Sequence, residues 1–185
     1  KAFSAREIKS LREMAMTIAN ELVDALEGRR ACDLAQAFAF PLPVRIICRM
    51  LDVSESDATE LGRLTSALVR VFDPQISQSD LLKAAEAFAV LENYFSAVIV
   101  SRRDSTASDL VSIFLRSDID GDQLDHDEII ANVILLFLAG HETTSNMLCN
   151  TILALHAHPQ ELASLKQNHA LIPDAIEECL RYDSS

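Results

Sequence analysis

Apolar residues recur at helical spacing along most of this chain, and the densest run lies near its middle. From residue 129 to residue 139 every position but Asn132 is hydrophobic, and Met147, Leu148, Ile152, Leu153 and Leu155 resume the series after a short polar stretch. That pattern predicts one long core helix, opened by Asp125 and Glu128 as a capping box. Upstream, Ser4 and Glu7 make a capping box for a first helix with the stripe Ile8, Leu11, Ala15, Ile18, Leu22 and Leu26, stopped by Gly28. Residues 32–34 read as a short connector, and Pro41 and Pro43 place the start of a short helix just after them, ending near Leu51. Ser54 with Asp57 caps a helix through Val71, which Asp73-Pro74 breaks. Leu81, Ala85, Phe88, Phe95 and Ile99 define a long amphipathic helix ending in Arg102-Arg103, whose charge suits a helix C-terminus. A shorter helix runs from Ser108 to about Arg116, an acidic turn spans Asp118 to Asp122, and His158-Pro159 and Ile172-Pro173 begin the last two helices. No segment alternates as a strand should, and no repeat is visible. The expected fold is all-α, one domain over residues 1–185.

Composition narrows the function without naming it. The 185 residues are 49% hydrophobic and 24% charged, ordinary for a globular protein. A net charge of −12 is the wrong sign for a nucleic-acid partner. The start, Lys1-Ala2-Phe3-Ser4, has no apolar signal region, and the longest apolar run falls short of the ~20 residues that span a bilayer, so a cytoplasmic protein with no membrane partner is expected. Cys32, Cys48, Cys149 and Cys179 are scattered, with no paired spacing, and read as buried reduced thiols.

The interruption in the long helix carries the chemistry. Ala139-Gly140-His141-Glu142-Thr143-Thr144 sits at its midpoint. Gly140 costs about 1 kcal/mol relative to alanine in a helix interior, and the hydroxyls of Thr143 and Thr144 can bond a carbonyl one turn back, which bends helices. A deformed helix with a polar notch is expected. As a zinc-protease helix the motif fails, because the second histidine falls at Ser145, and Gly121 placed at position six of a calcium loop puts Arg116 at position one. A plain structural kink remains the bland alternative.

The hexapeptide resembles the pattern Ala/Gly-Gly-x-Asp/Glu-Thr-Thr/Ser on the central helix of cytochrome P-450 monooxygenases. Glu178-Cys179-Leu180-Arg181 fits that family's Glu-x-x-Arg, and Phe38-Ala39-Phe40-Pro41-Leu42-Pro43-Val44 is similar to its bacterial members. The resemblance implies a mainly-α orthogonal bundle around a long kinked central helix, a haem b cofactor, and insertion of one oxygen atom from dioxygen into a small organic substrate. It assigns Thr143 the hydrogen bond to bound oxygen and Glu142 a proton relay from solvent. Ala139 and Gly140 would lie against the porphyrin face, with Thr143, Thr144, Leu135 and Leu136 as pocket neighbours. Glu178 and Arg181 would form a buried structural ion pair.

The same resemblance places the iron's cysteine in a loop Phe-Gly-x-Gly-x-x-x-Cys-x-Gly after Glu-x-x-Arg, and none of the four cysteines here has that context. No metal ligand is therefore assigned, and the chain is expected to be an internal piece that cannot hold the haem-thiolate centre unaided. Electrons would come from a ferredoxin-type or flavoprotein partner. Ala67, Leu68, Val71, Phe72 and Phe88 point to an apolar substrate. The alternative is a haem-free, catalytically silent helical protein that self-associates over the faces left open.

Overall fold

Where the capping signals are complete, the helices begin as expected. In the computed structural model, which describes residues 5–119 and 122–184, Asp125 accepts from the Glu128 amide at 2.8 Å while Glu128 accepts from the Asp125 amide at 2.9 Å. This capping box opens the longest helix, α6, His126–Ala157. Before it come α1 (Ala5–Asp24), α2 (Pro41–Leu51), α3 (Ala58–Val69), α4 (Gln78–Ser101) and α5 (Leu110–Leu115). After it come α7 (Pro159–Gln167) and α8 (Ile172–Tyr182). The Ser4 capping box lies outside the described residues. Gly28, at φ 76°, ends the turn after α1 in the left-handed region where glycine is unstrained.

Several boundaries shift for local reasons. Pro41 is the first residue of α2 rather than its forerunner, since a first-turn proline forfeits no hydrogen bond. Ahead of it, Ala35–Ala39 form a π-helical turn that the pattern gave no sign of. Ser54 caps a 3-10 turn, Glu55–Asp57, before α3, and a second 3-10 turn, Arg70–Phe72, follows it. Asp109, not Ser108, caps α5, accepting from the Ser112 amide at 3.0 Å. The acidic turn carries two minimal antiparallel strands, β1 (Asp118–Ile119) and β2 (Asp122–Gln123), with Asp118 opposite Gln123.

The core gathers where α2, α3 and α4 pack on α6. Phe95 of α4 and Phe137 of α6 are wholly buried, with ring centroids 6.3 Å apart, among Val44, Leu51, Leu91, Ile99, Ile129 and Val133. In α4 the buried stripe is Ala84, Ala87, Leu91, Phe95 and Ile99. Leu81, Ala85 and Phe88, expected inside, are exposed. The helix is apolar on more than one side, and packing against α3 and α6 selects which side goes in. By length and composition alone α4 could cross a membrane, yet its core-facing stripe is spent within the bundle. Of the cysteines only Cys48 is fully buried, with burial pushing its thiol up to about 12. Cys149 and Cys179 are half-buried and Cys32 is exposed, because Cys32 sits in the connector and the other two on helices with one open side.

Close approach of α2 and α3 depends on Gly62. A Cβ there would sit 3.0 Å from Phe40 Cζ and 3.1 Å from Val44 Cγ2. Gly62→Ala is expected to destabilise by about 1–2 kcal/mol, overpacking outweighing the gain in helix propensity. A lower urea midpoint at unchanged slope is the result to look for.

Candidate functional site

In the middle of α6, between residues 130 and 150, the exposed positions are Ala131, Asn132, Leu135, Ala139, Thr143 and Asn146. Steps of three and four residues keep them on one side of a helix with 3.6 residues per turn. Leu135 is 58% exposed, while Ile134 and Phe137 beside it are buried. The result is a strip of one leucine, one alanine and one hydroxyl on a helix otherwise clasped by α2, α3 and α4. The helix runs unbroken through the motif. The deformed helix expected at this point is therefore not observed: the Thr143 hydroxyl donates to the Ala139 carbonyl at 2.6 Å and the Ser145 hydroxyl to the His141 carbonyl at 3.0 Å, back-bonds that the helix accommodates without a break.

The remaining motif residues distribute around the helix. Glu142 flanks the strip on the α3 side, 30% exposed, and its Oε2 accepts from Ser66 Oγ at 2.8 Å. His141 points inward, wholly buried, between Thr65 and Phe40. Burial pushes its imidazole down from the ordinary value, against the opposing pull of Glu142. Gly140, expected on the strip with Ala139, instead faces α2, where a Cβ would meet Ile47 Cδ1 at 3.2 Å. Its small size serves the approach of α2. Since Cδ1 is the flexible end of a side chain, and alanine gains about 1 kcal/mol of helix propensity, Gly140→Ala is expected to leave stability within about 0.5 kcal/mol. Thermal melts of the two proteins would show it. Thr144 lies about 100° round from Thr143 and is half-buried, as is Leu136.

Beside the strip, Leu135 and Leu138 form one wall of an apolar cleft of about 420 Å³. Leu68, Val71, Phe72 and Phe88 from α3, the following turn and α4 form the other. Four of the five residues named from sequence as an apolar surface thus converge here; Ala67 packs against the core instead. Ser66 and Thr65, which hold the polar side of the motif, were not singled out. Their partners lie 76 positions away, and nothing local marks a serine on α3 as a carboxylate's donor.

Glu178 and Arg181 do pair, at 2.6 and 2.7 Å in a two-bond fork, but on the exposed side of α8. Each draws the other toward its charged form, the Glu178 carboxyl down and the Arg181 guanidinium up, chiefly through the hydrogen bonds between them. The burial implied by resemblance is not present because nothing within the described residues covers that side of α8.

The strip fits one face of a flat apolar macrocycle. Leu135 and Ala139 offer contact without bulk, and Thr143 offers the single hydroxyl. An iron ligand is another matter, for no cysteine stands on the strip or lines the cleft.

Comparison with known proteins identifies the family. The family model described as cytochrome P450 matches residues 4–181. Cytochrome P450 133B1 of Xylella fastidiosa is 48% identical over all 185 residues, which cover 46% of that protein. Cytochrome P450 107B1 of Saccharopolyspora erythraea is 38% identical, with the whole chain again matched to 44% of its length. The chain spans about half the length of the curated relatives it matches. Among solved structures, P450BioI, in complex with an acyl carrier protein bearing hexadec-9Z-enoic acid, superposes with a TM-score of 0.92 at 31% identity, covering 98% of this chain and 46% of that one. A mainly-α bundle around one long helix, a threonine–acid motif at its centre and a family match over nearly every residue lead to one statement: this chain belongs to the cytochrome P450 family.

Proposed function

We propose that the intact protein is a haem-dependent monooxygenase acting on an apolar organic substrate, and that these residues form the oxygen-facing half of its pocket. The observation that carries this is the exposed strip Leu135–Ala139–Thr143 along the middle of α6, with Leu135 shared between the strip and the wall of an apolar cleft. Haem b, when bound, supplies activation of dioxygen. Leu135 and Ala139 bind its face by contact, with Leu136 at the margin; Gly140 and Thr144 act behind them, in packing. Thr143 Oγ1 holds a proton on the strip, parked at rest on the Ala139 carbonyl. Glu142 is 30% exposed and next to Thr143 in the chain, but its side chain points about 100° away, so it replenishes that hydroxyl through water rather than directly.

The cleft excludes charged groups, since none of its walls offers a partner. CYP109E1 in complex with testosterone, 30% identical with a TM-score of 0.85, and the vitamin D(3) 25-hydroxylase of Pseudonocardia autotrophica, 35% identical, support an apolar substrate of this kind. A ferredoxin-type or flavoprotein donor supplies electrons, and the cytoplasm is the assigned compartment.

The deciding measurement is a difference spectrum of the reduced intact protein with carbon monoxide. The red-shifted Soret band of a thiolate-ligated haem is expected; its absence in soluble, folded protein overturns the reading. The haem-free, self-associating alternative draws on a specific feature, the exposed Leu153, Ile176, Leu180 and Tyr182 on α6 and α8. A stable haem-free dimer on sedimentation would favour it.

A further inference from the structure

His141 is the residue of the central motif to which neither strip nor cleft gives a task. Its ring stands edge-on to Phe40, centroids 4.4 Å apart and planes at 87°, and its side chain is fully buried. Nε2 has no hydrogen-bond partner. A phenylalanine or a leucine would fill the space without burying an unpaired nitrogen, so packing alone does not account for an imidazole here. What the imidazole adds lies at Nδ1, 3.4 Å from Thr65 Oγ1 and 3.9 Å from Glu142 Oε2.

The protonation pattern follows from counting donors. Thr65 has one hydroxyl proton, shared between the carbonyls of Leu61 at 3.0 Å and Gly62 at 2.9 Å. Toward the ring its oxygen can only accept. Nδ1 is therefore the donor, and a ring kept neutral by burial carries its single proton there. One residue further along each helix, Ser66 Oγ donates to Glu142 Oε2 at 2.8 Å. The pairs 65–141 and 66–142 are thus successive rungs between α3 and α6, one dry and one half-exposed.

We propose that His141 is a positioning residue for Glu142: by donating from Nδ1 to Thr65 it fixes α3 against α6, and so holds Ser66 on the carboxylate that supplies Thr143. The carboxylate's task rests on the oxygenase reading above; the rung itself does not. A serine hydroxyl at a half-exposed site competes with water for Glu142 and cannot by itself set the spacing of two helices. The buried rung beside it has no such competitor, so it governs whether Ser66 stays in reach.

Two substitutions in the intact protein separate this role from packing. His141→Phe keeps a ring against Phe40 but removes the N–H; His141→Asn returns an N–H near the Nδ1 position. In the phenylalanine variant product formed per dioxygen consumed is expected to fall roughly tenfold, less than the roughly hundredfold that a displacement of about an ångström can cost, with KM for substrate little changed. Asparagine should restore most of it, and in a Glu142→Gln background His141→Phe should cost nothing further, because the two act as one unit. Amide exchange at Thr65 and Ser66 is expected to quicken about tenfold with phenylalanine and not with asparagine. Additive losses, or coupling and exchange both unchanged, would overturn the proposal. If the intact protein gives no haem spectrum, the oxygenase reading fails separately, and the exchange measurement alone decides the rung: protection lost with phenylalanine and kept with asparagine supports it, equal protection in both overturns it.

Discussion

Arg102→Ala is expected to destabilise the protein by about 3–5 kcal/mol, the range for removing one partner of a buried ion pair. Arg102 ends α4, but its guanidinium does more than complement a helix terminus. It pairs with Asp109 at 2.6 Å, donates to the Leu51 carbonyl at 2.9 Å, and also donates to the Asp52 carbonyl. Asp52 sits at φ 51° in the left-handed region, where α2 ends. One side chain thus joins the ends of α2 and α4 to the start of α5. Only 5% of the Asp109 side chain is exposed, so alanine at 102 leaves a carboxylate in the interior with Ser112 as its remaining partner.

The same contact predicts how stability responds to acid. Burial pulls the Asp109 carboxyl upward, but the hydrogen bonds from Ser112 and the charge of Arg102 outweigh it and hold the group below its ordinary value. A carboxyl depressed on folding contributes stability that is fully present above its unfolded value and is lost as pH falls through the folded one. Urea midpoints should therefore decline on acidification below about pH 4, with Asp109 as one contributor. In Arg102→Ala that decline should shrink, since the carboxyl that remains is no longer held down. A variant with the midpoint and acid response of the parent would show the contact to be incidental.

Which parts of this were legible in the sequence depends on how local their causes are. The capping box at Asp125 and Glu128 and the prolines at 41, 159 and 173 act within a turn of themselves, and the helices start there. The all-α bundle followed from those signals together with periodicity. The register of α4 did not. Leu81, Leu82, Ala84, Ala85, Ala87 and Phe88 are all apolar, so several stripes satisfy the pattern, and only the shapes of α3 and α6 choose among them. Gly140 shows the same limit in the motif itself. A glycine is equally suited to approach by a cofactor or by another helix, and Ile47 settles it. Arg102 was visible as a terminal charge, while its engagement with Leu51 and Asp109 depends on where three helix ends meet.

Thr143→Ala carries the largest functional effect. On the oxygenase reading, product per dioxygen should fall by roughly tenfold or more in the intact protein, the released peroxide rising in proportion. The Thr143 hydroxyl is the only side-chain proton donor on the strip between Leu135 and the asparagine at 146. Its bond to the Ala139 carbonyl is local, and without it that carbonyl stays within the helical ladder, so folding should change by less than about 1 kcal/mol. Loss of function without loss of structure is the expected signature. Thr143→Ser retains the hydroxyl and should keep most of the coupling, while Thr143→Val retains the branched shape without it and should behave as alanine does. If valine couples as well as threonine, shape rather than proton supply explains the residue, and Glu142 has no hydroxyl to serve.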